Sequence, residues 1–379
     1  MRLRKPTRII LMTEILMFGP PKGHNIKLYL DFFQKYKNEF KLTYFYSGKK
    51  VYSFEPYTDI TFVHRLLNIL AFLSVFKKTE RLELIWIHNW TPVYVILILL
   101  FLRRKSKIVF SVWSEPIPRM TLGEGIKAKT YRFIFKKMDF IQCLWFPTYE
   151  LMKRINSNPK VVLFPWGLSE SYFKHSHDTV YSQETIEFVD SLESNKINFF
   201  WPKSISGASR HDIVIESCKQ LREAGVLNFK VYFWLGNAVK RKLYYKLERQ
   251  IAKFDLSTHV IFVHHSFLTF NEIRYIWSKM DVGLQIAAHD ALSTSFLEPL
   301  FLKKPVVVSK IAPYQIFESH FNLKLDLVEL NPSSLKNHML SYIQGREITN
   351  AELNKRSEVI STYFNFEKNT LKAIEYFAS

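Results

Sequence analysis

The chain has 379 residues, of which 47% are hydrophobic and 23% are charged, a composition typical of a folded protein with room for two domains. The formal net charge is +19, and residues 1–170 carry most of it, with 28 basic and 12 acidic side chains. The longest apolar run, residues 93–102, has half of the roughly 20 residues needed to cross a bilayer, which excludes a membrane-spanning helix there.

The two cysteines, Cys143 and Cys218, lack a metal-ligand spacing and are predicted to be buried thiols in a reducing compartment. The first residues lack the apolar core of a signal peptide, so a cytoplasmic location is expected.

The first half of the sequence alternates short β-branched or apolar runs with amphipathic runs, the pattern of a parallel, doubly wound sheet. Strands are predicted at Arg8–Met12, Leu42–Tyr46, Leu84–Ile87, Ile108–Val112, Phe140–Leu144 and Val161–Phe164. Helices are predicted at Asn25–Tyr36, Phe62–Phe76, Val93–Leu102, Lys127–Lys136 and Thr148–Ile155. In such a sheet ligands bind at the carboxyl ends of the strands.

The alternation restarts after a polar stretch, residues 174–195, which is predicted to be a linker with a short helix. Its residues His175, His177 and Asp178 fit a solvated loop better than a metal site. Strands are then predicted at Ile197–Trp201, Lys230–Leu235, His259–Val263, Val282–Ile286 and Val306–Val308. Helices are predicted at Asp212–Ala224, Lys240–Phe254, Phe270–Ser278, Phe296–Leu302, Tyr314–Glu318, Ser333–Ile343, Asn350–Ile360 and Phe366–Phe377.

The stretch from residue 280 to residue 309 carries the clearest functional pattern. A buried strand leads into a loop with an acid, Asp290, and then into three hydroxyl residues, Ser293, Thr294 and Ser295. A short helix with a second acid, Glu298, follows before the next strand. This strand–loop–helix–strand unit presents a helix N-terminus to a phosphate. The hydroxyls, the helix dipole and the second acid together suit a nucleotide diphosphate with its ribose.

That pattern resembles the nucleotide-sugar site of retaining glycosyltransferases with the GT-B fold, often called family 4. There two glutamates are separated by seven residues, as Asp290 and Glu298 are here, and a small apolar helix and a Gly-x-Pro-Val strand follow. Three further blocks stand in the family's order: residues 20–23 (PPKG), residues 164–168 (FPWGL) with Phe173, and residues 201–216. The resemblance therefore covers nearly the whole chain.

The resemblance implies an α/β protein of the GT-B fold, with two Rossmann-like, doubly wound parallel-sheet domains facing a central cleft. Residues 1–172 would form the acceptor-binding domain and residues 173–195 the linker. Residues 196–362 would form the nucleotide-sugar-binding domain. Residues 363–379 would be a final helix that crosses back to the first domain.

The resemblance also implies roles for the two acids. Glu298 would bind the vicinal ribose hydroxyls, and Asp290 would lie near the donor sugar, although aspartate is one methylene shorter than the family's glutamate. Each acid has a plainer interpretation. Glu298 could form a capping box with Ser295 as the N-cap residue. Asp290 could make an Asx-turn.

Basic and glycine residues complete the candidate site. The family has an arginine and a lysine that bind the diphosphate, and here the charges stand one position away, at Lys203 and Arg210. Gly23 precedes a predicted helix and would allow close approach of the sugar or phosphate. His264 and His265 occupy the place where the family contacts the base. Each of these residues could instead be a surface or structural residue.

The function that the resemblance implies is retaining transfer of a sugar from a UDP- or GDP-linked donor to a lipid-linked or cell-surface glycan acceptor. Neither a metal nor another cofactor is expected. Basic residues interleaved with aromatic ones at positions 127–137 suit an anionic membrane surface, so a peripheral location on the inner face of the cell membrane is expected. A solubilising surface would give the same pattern.

Three other functions stay open. A non-catalytic nucleotide-sugar-binding module is favoured by the Glu-to-Asp change and by the absence of the family's histidine after residues 108–112. A nucleotide-sugar 2-epimerase would share the fold. Nucleic-acid binding by the basic half is the third, but the sequence shows no motif for it and nucleic acid is not an expected partner.

Overall fold

A computed structural model of the protein describes residues 13–19, 24–46, 61–64, 82–88, 106–112, 123–155, 160–174, 180–234, 241–263 and 268–379. The chain divides into two compact units. The first unit comprises residues 1–165 and 367–379, and the second comprises residues 166–366. In the described part of the chain, no helix is long and apolar enough to cross a membrane.

The first unit is built on a parallel sheet of seven strands. The strands are β1 (Thr13–Gly19), β2 (Phe40–Tyr46), β3 (Thr61–His64), β4 (Leu82–His88), β5 (Lys107–Val112), β6 (Phe140–Cys143) and β7 (Val161–Leu163). Their order in the sheet is β3-β2-β1-β4-β5-β6-β7, so the winding reverses between β1 and β4. Five of the six residues of β5 are buried, as expected for a central strand with both faces covered.

The helices described in the first unit are α1 (His24–Lys35), α2 (Ile126–Lys137) and α3 (Phe146–Ile155). The inner face of α2, with Ile134 and Phe135, packs on Phe110 of β5 within one buried cluster. The C-terminal helix, Phe366–Ala378, also belongs to this unit from residue 367 onward. Its residue Phe377 lies 5.7 Å from the Trp86 ring and 5.2 Å from the Phe140 ring, measured between ring centroids.

The second unit is built on a parallel sheet of six strands. The strands are β8 (Ile197–Trp201), β9 (Phe229–Trp234), β10 (Val260–Val263), β11 (Val282–Gln285), β12 (Val306–Ser309) and β13 (Asp326–Val328). Their order is β10-β9-β8-β11-β12-β13, so the winding reverses between β8 and β11. A crevice at the carboxyl ends of two such strands is where doubly wound sheets bind ligands.

The helices described in the second unit are α4 (Glu170–Phe173), α5 (Gln183–Asp190), α6 (His211–Glu223), α7 (Arg241–Lys253), α8 (Phe270–Lys279), α9 (Thr294–Phe301), α10 (Ala312–His320), α11 (Pro332–Ile343) and α12 (Asn350–Tyr363). Helix α8 begins with a capping box between Thr269 and Glu272. Glu272 also accepts hydrogen bonds from the backbone and side chain of Ser182, at 3.1 and 2.5 Å. One buried carboxylate therefore fixes the starts of α5 and α8 together.

A close approach of two backbone segments explains the glycine of the FPWGL block. The Leu168 amide donates to the Phe364 carbonyl at 2.8 Å, and the Phe366 amide donates to the Leu168 carbonyl at 2.9 Å. A Cβ atom on Gly167 would overlap the Phe364 backbone. Only glycine permits this approach.

Most of the predicted elements are confirmed to within one or two residues. The prediction of a helix at Phe62–Phe76 is wrong at its start, because residues 61–64 form the edge strand β3. Strands β1 and β13 were not predicted, and β13 has only three residues, too few to show a period. The predicted strand Arg8–Met12 and helix Val93–Leu102 lie outside the described residues. Cys143 and Cys218 are both buried thiols, as predicted.

Candidate functional site

Two loops meet at the carboxyl edge of the second sheet. One follows β8 and the other follows β11, the strands between which the winding reverses. The Arg210 amide donates to the Ile286 carbonyl at 2.9 Å, and the Ala288 amide donates to the Ala208 carbonyl at 2.8 Å. This backbone pairing brings the loop that carries Lys203 against the loop that carries Asp290.

Asp290 is the centre of a polar network formed where these loops meet. Its Oδ1 lies 3.1 Å from the Lys203 ammonium. Its Oδ2 accepts hydrogen bonds from Gln285 Nε2 at 2.7 Å, from Ser293 Oγ at 2.9 Å and from the hydroxyl of Tyr314. These bonds come from side chains, whereas an Asx-turn would use a nearby backbone amide. Only 10% of the Asp290 side chain is exposed, so the network is nearly closed to water.

The network keeps Asp290 ionised. Burial is the largest influence and raises the pKa of Asp290, but the charge of Lys203 and the hydroxyl donors of Tyr314 and Ser293 outweigh it. The pKa of Asp290 therefore lies below its ordinary value. Burial, together with the charge of Asp290, raises the pKa of Tyr314 well above its ordinary value, so Tyr314 stays a proton donor.

The predicted hydroxyl cluster lies at the start of α9. Ser293 is the N-cap residue and Thr294 is the first helical residue, but the Ser293 side chain makes no capping hydrogen bond. Instead, Ser295 Oγ donates to Gln285 Oε1 at 3.1 Å and lies 2.9 Å from Ser293 Oγ. The serine hydroxyls thus hold the loop, and the first backbone amides of α9 are left without a side-chain cap.

Glu298 lies one helical turn further along α9 and is only 2% exposed. The indole of Trp277, on α8, donates a hydrogen bond to Glu298 Oε2 at 3.0 Å. The capping-box interpretation of Glu298 is wrong, because α9 begins before Ser295 and Glu298 is bonded to Trp277. Burial raises the pKa of Glu298 to about 7, although the Trp277 bond and the charge of Lys203 lower it. Glu298 is thus a buried carboxyl group that titrates near neutral pH.

The two predicted cations have different partners. Lys203 interacts with both acids, since it forms an ion pair with Asp290 and its charge lowers the pKa of Glu298. Its side chain is 23% exposed, more than either acid. Arg210 stands at the N-cap position of α6, and its guanidinium makes two hydrogen bonds to the Asp212 carboxylate, at 2.9 and 2.8 Å. The structure therefore brings Lys203, Asp290 and Glu298 together and places the Arg210 side chain on a separate partner.

Three predicted site residues, Gly23, His264 and His265, lie outside the described residues. The linker residues 175–179 lie outside them as well. Within the described ranges, no group of three or more His, Cys, Asp or Glu side chains could hold a metal ion.

No protein-family model and no curated protein matches the sequence. Solved structures do match it over nearly its whole length. HepE from Anabaena, in complex with UDP-glucose, shares 14% sequence identity and a TM-score of 0.76, and the match covers 96% of this chain and 99% of HepE. The chain has the GT-B fold of glycosyltransferases.

Two more solved structures agree with this assignment. A glycosyltransferase from Rickettsia africae has 13% identity and a TM-score of 0.73, covering 97% of this chain and 98% of its own. Sucrose-phosphate synthase from Thermosynechococcus elongatus has 14% identity and a TM-score of 0.68, covering 96% and 98%. At such identities the likeness establishes the fold, and the predicted α/β class with two doubly wound parallel sheets is confirmed.

Three residues of the candidate site were not predicted from the sequence: Gln285, Trp277 and Tyr314. The sequence offers a signal for Gln285, because a polar side chain at the end of an otherwise apolar buried strand is unusual. It offers no such signal for Trp277 or Tyr314, since each occupies an apolar position of an amphipathic helix, as a core residue does. Their polar atoms matter only because the fold aims them at Glu298 and Asp290.

Proposed function

We propose that the protein is a glycosyltransferase that uses a nucleotide-diphosphate sugar, bound at the carboxyl edge of the second sheet. The observation that carries the proposal is the buried carboxyl group of Glu298, set between Trp277 and the charge of Lys203 beside the uncapped start of α9. The GT-B fold supports it, because HepE, which shares that fold, is known in complex with UDP-glucose.

Each part of the site has a chemical task in this proposal. The uncapped amides of α9 and the ammonium of Lys203 would neutralise the diphosphate as it leaves. Glu298 would accept hydrogen bonds from the vicinal ribose hydroxyls, which a carboxylate receives better than a neutral group. Asp290 would hold Lys203 and the loop in place next to the donor sugar. Arg210 would have to leave Asp212 to reach the diphosphate.

We propose a retaining reaction that needs no metal or other cofactor from the protein. The acceptor hydroxyl would attack the anomeric carbon on the face that the diphosphate leaves, and a phosphate oxygen would take its proton. The bond from the sugar to the phosphate oxygen breaks as the bond to the acceptor oxygen forms. Lys203 and the α9 amides supply the positive charge that this transition state requires.

Binding calorimetry with UDP, GDP and ADP tests the donor site. We expect one nucleotide to bind the wild type, and Glu298→Gln to weaken it at least tenfold, because hydrogen bonds to a charged group contribute about 1.5–3 kcal/mol. The matched control is Glu358→Gln, which removes the charge of an exposed glutamate on α12 and should not change the affinity. Binding by neither the wild type nor the variant would contradict the proposal.

A nucleotide-sugar-binding module without transferase activity is the second candidate. It is favoured by Asp290, because both of its oxygens are already engaged by side chains of the protein. Tight nucleotide binding, with no release of UDP or GDP from any donor sugar in the presence of a membrane extract, would identify it.

We further propose that the acceptor is lipid-linked and that the first unit rests on an anionic membrane. The outer face of α2 supports this proposal. Ile126 is 86% exposed and Phe133 is 53% exposed, and the exposed lysines Lys129 and Lys136 lie between and beside them. The helix contains no acidic residue. Exposed apolar side chains flanked by cations fit the headgroup region of an anionic membrane. Each basic residue near the surface contributes about 1 kcal/mol to the free energy of binding.

Flotation with vesicles tests the membrane proposal. We expect the protein to float with vesicles that contain phosphatidylglycerol and not with pure phosphatidylcholine, and the double variant Lys129→Glu/Lys136→Glu to bind at least tenfold more weakly. The control Lys242→Glu/Lys246→Glu makes the same charge change on exposed residues of α7 in the second unit and should bind as the wild type does. An equal loss of vesicle binding in both double variants would show that only net charge matters and would contradict a membrane contact through α2.

A further inference from the structure

The indole of Trp277 makes a directed contact with the candidate site. Trp277 is fully buried on α8, and its N–H group donates to Glu298 Oε2 at 3.0 Å. Among the described residues, no hydrogen bond reaches the other oxygen, Glu298 Oε1. An indole N–H can only donate, so it always favours a carboxyl oxygen in this position. One oxygen of Glu298 is thus committed to the protein and the other is available to a ligand.

The position of the indole is fixed by a glycine in the sheet. A Cβ atom on Gly283 of β11 would lie 3.1 Å from the Trp277 ring and 3.1 Å from a methyl group of Val306. Such contacts are tighter than ordinary van der Waals packing, so the ring can lie this close to the strand only because residue 283 lacks a side chain. On another side the Phe200 ring packs edge-on, with centroids 4.8 Å apart. The indole therefore has one well-defined orientation toward Glu298.

We propose that Trp277, seated on Gly283, is a positioning residue that holds one oxygen of Glu298 and presents the other to the ribose of the nucleotide donor. This inference rests on the proposed function and names a determinant of its donor site. A carboxylate that is free to rotate about its last torsion must be ordered when the ligand binds, and a held carboxylate avoids that cost.

The bond also affects the proton of Glu298. Burial raises the pKa of Glu298 to about 7, and the Trp277 bond opposes that rise. In the part of the chain that the structure describes, the other titratable groups that interact with Glu298 are Lys203, from the loop after β8, and Tyr172, from α4. Lys203 is shared with Asp290 in the loop after β11, and Arg274 of α8 lies beside Tyr172. Because the ionised carboxylate is the better acceptor for two hydroxyls, removal of the indole donor should move donor binding to higher pH.

Calorimetric titration of UDP-glucose between pH 5.5 and pH 8.5 tests the inference. UDP-glucose is the better probe than UDP, because a terminal phosphate itself titrates near pH 6. We expect wild-type affinity to rise as the pH passes through about 7, the pKa of Glu298. Trp277→Phe should weaken binding roughly tenfold at pH 7 and move the midpoint upward by about one pH unit. If the protein binds a different nucleotide, the diphosphate sugar of that nucleotide replaces UDP-glucose as the probe.

Trp201→Phe is the matched control. Trp201 is a fully buried tryptophan of β8, and in the described part of the chain its indole nitrogen has no hydrogen-bond partner. The same ring truncation there should leave the pH midpoint at the wild-type value. A loss of affinity in Trp277→Phe without a shift of the midpoint would assign Trp277 a packing role and overturn the inference.

A second measurement needs no change at Trp277. In the wild type, the NMR signal of one indole N–H should titrate with a midpoint near pH 7, and Glu298→Gln should abolish that titration. If no indole signal titrates, the bond between Trp277 and Glu298 is absent and the inference fails. Donor binding that is unchanged in Trp277→Phe would refute the inference and leave the proposed function intact. Failure of every nucleotide to bind the wild type would refute both.

Discussion

Replacing Asp290 with alanine is expected to lower the free energy of unfolding by about 3–5 kcal/mol, the loss typical when one partner of a buried ion pair is removed. The substitution strands the ammonium of Lys203 and the buried hydroxyl of Tyr314. It also removes an acceptor from Gln285 and Ser293, so four donors lose their common partner. Urea denaturation of the wild type and the variant at pH 7 measures the difference.

A surface ion pair provides the control for Asp290→Ala. Lys310 and Glu329 pair at 2.8 Å, with 47% and 59% of their side chains exposed. Glu329→Ala should therefore cost less than about 1 kcal/mol. If Asp290→Ala costs no more than Glu329→Ala, the network around Asp290 does not exist in solution as described.

The second large effect is a change in the pH dependence of stability in Glu298→Gln. The folded protein holds the Glu298 proton up to its raised pKa of about 7, whereas the unfolded chain releases it near the ordinary glutamate pKa of 4.5. Between these values the folded state binds more protons, so the wild type loses stability as the pH rises, by about 1.4 kcal/mol per pH unit. This contribution is fully present below pH 4.5 and is lost above about pH 7.

Denaturation at pH 5 and pH 8 measures that effect. Between pH 5 and pH 8, we expect the free energy of unfolding to fall by about 3 kcal/mol more in the wild type than in Glu298→Gln. Glu272→Gln is the control with a pKa shift of the opposite sign. Burial raises the pKa of Glu272, but its hydroxyl and amide donors outweigh burial and lower the pKa to about 2. Folded Glu272 is ionised at both pH 5 and pH 8, so its contribution to stability is nearly the same at the two values. Glu272→Gln should therefore show the same change in stability between pH 5 and pH 8 as the wild type. An identical pH dependence in the wild type and Glu298→Gln would contradict the raised pKa.

The sequence was sufficient to predict the architecture because its signals are local. Strands such as β5 and β11 are buried on both faces, and their sequences are mainly apolar. The unit from residue 280 to residue 309 could be located because its strand, hydroxyl loop, helix and second strand follow each other directly. The edge strand β3 was mistaken for a helix because its four residues run into an apolar segment with no period-2 alternation.

The partners within the site could not be predicted, because they are distant in sequence. Lys203 is 87 positions from Asp290, and Trp277 is 21 positions from Glu298. Three successive hydroxyl residues could each begin a helix, so the pattern could not tell Ser293 from Ser295 as the N-cap residue. Arg210 was expected at the diphosphate because of its position, but a neighbouring acid, Asp212, holds its guanidinium.

A crystal structure of the protein with the nucleotide that it binds would test the central claim most directly. We expect the ribose hydroxyls to lie within hydrogen-bonding distance of Glu298, with the Trp277 indole still on Oε2 and the diphosphate at the start of α9 beside Lys203. A nucleotide bound elsewhere on the chain, or bound with Glu298 out of reach of the ribose, would contradict the account.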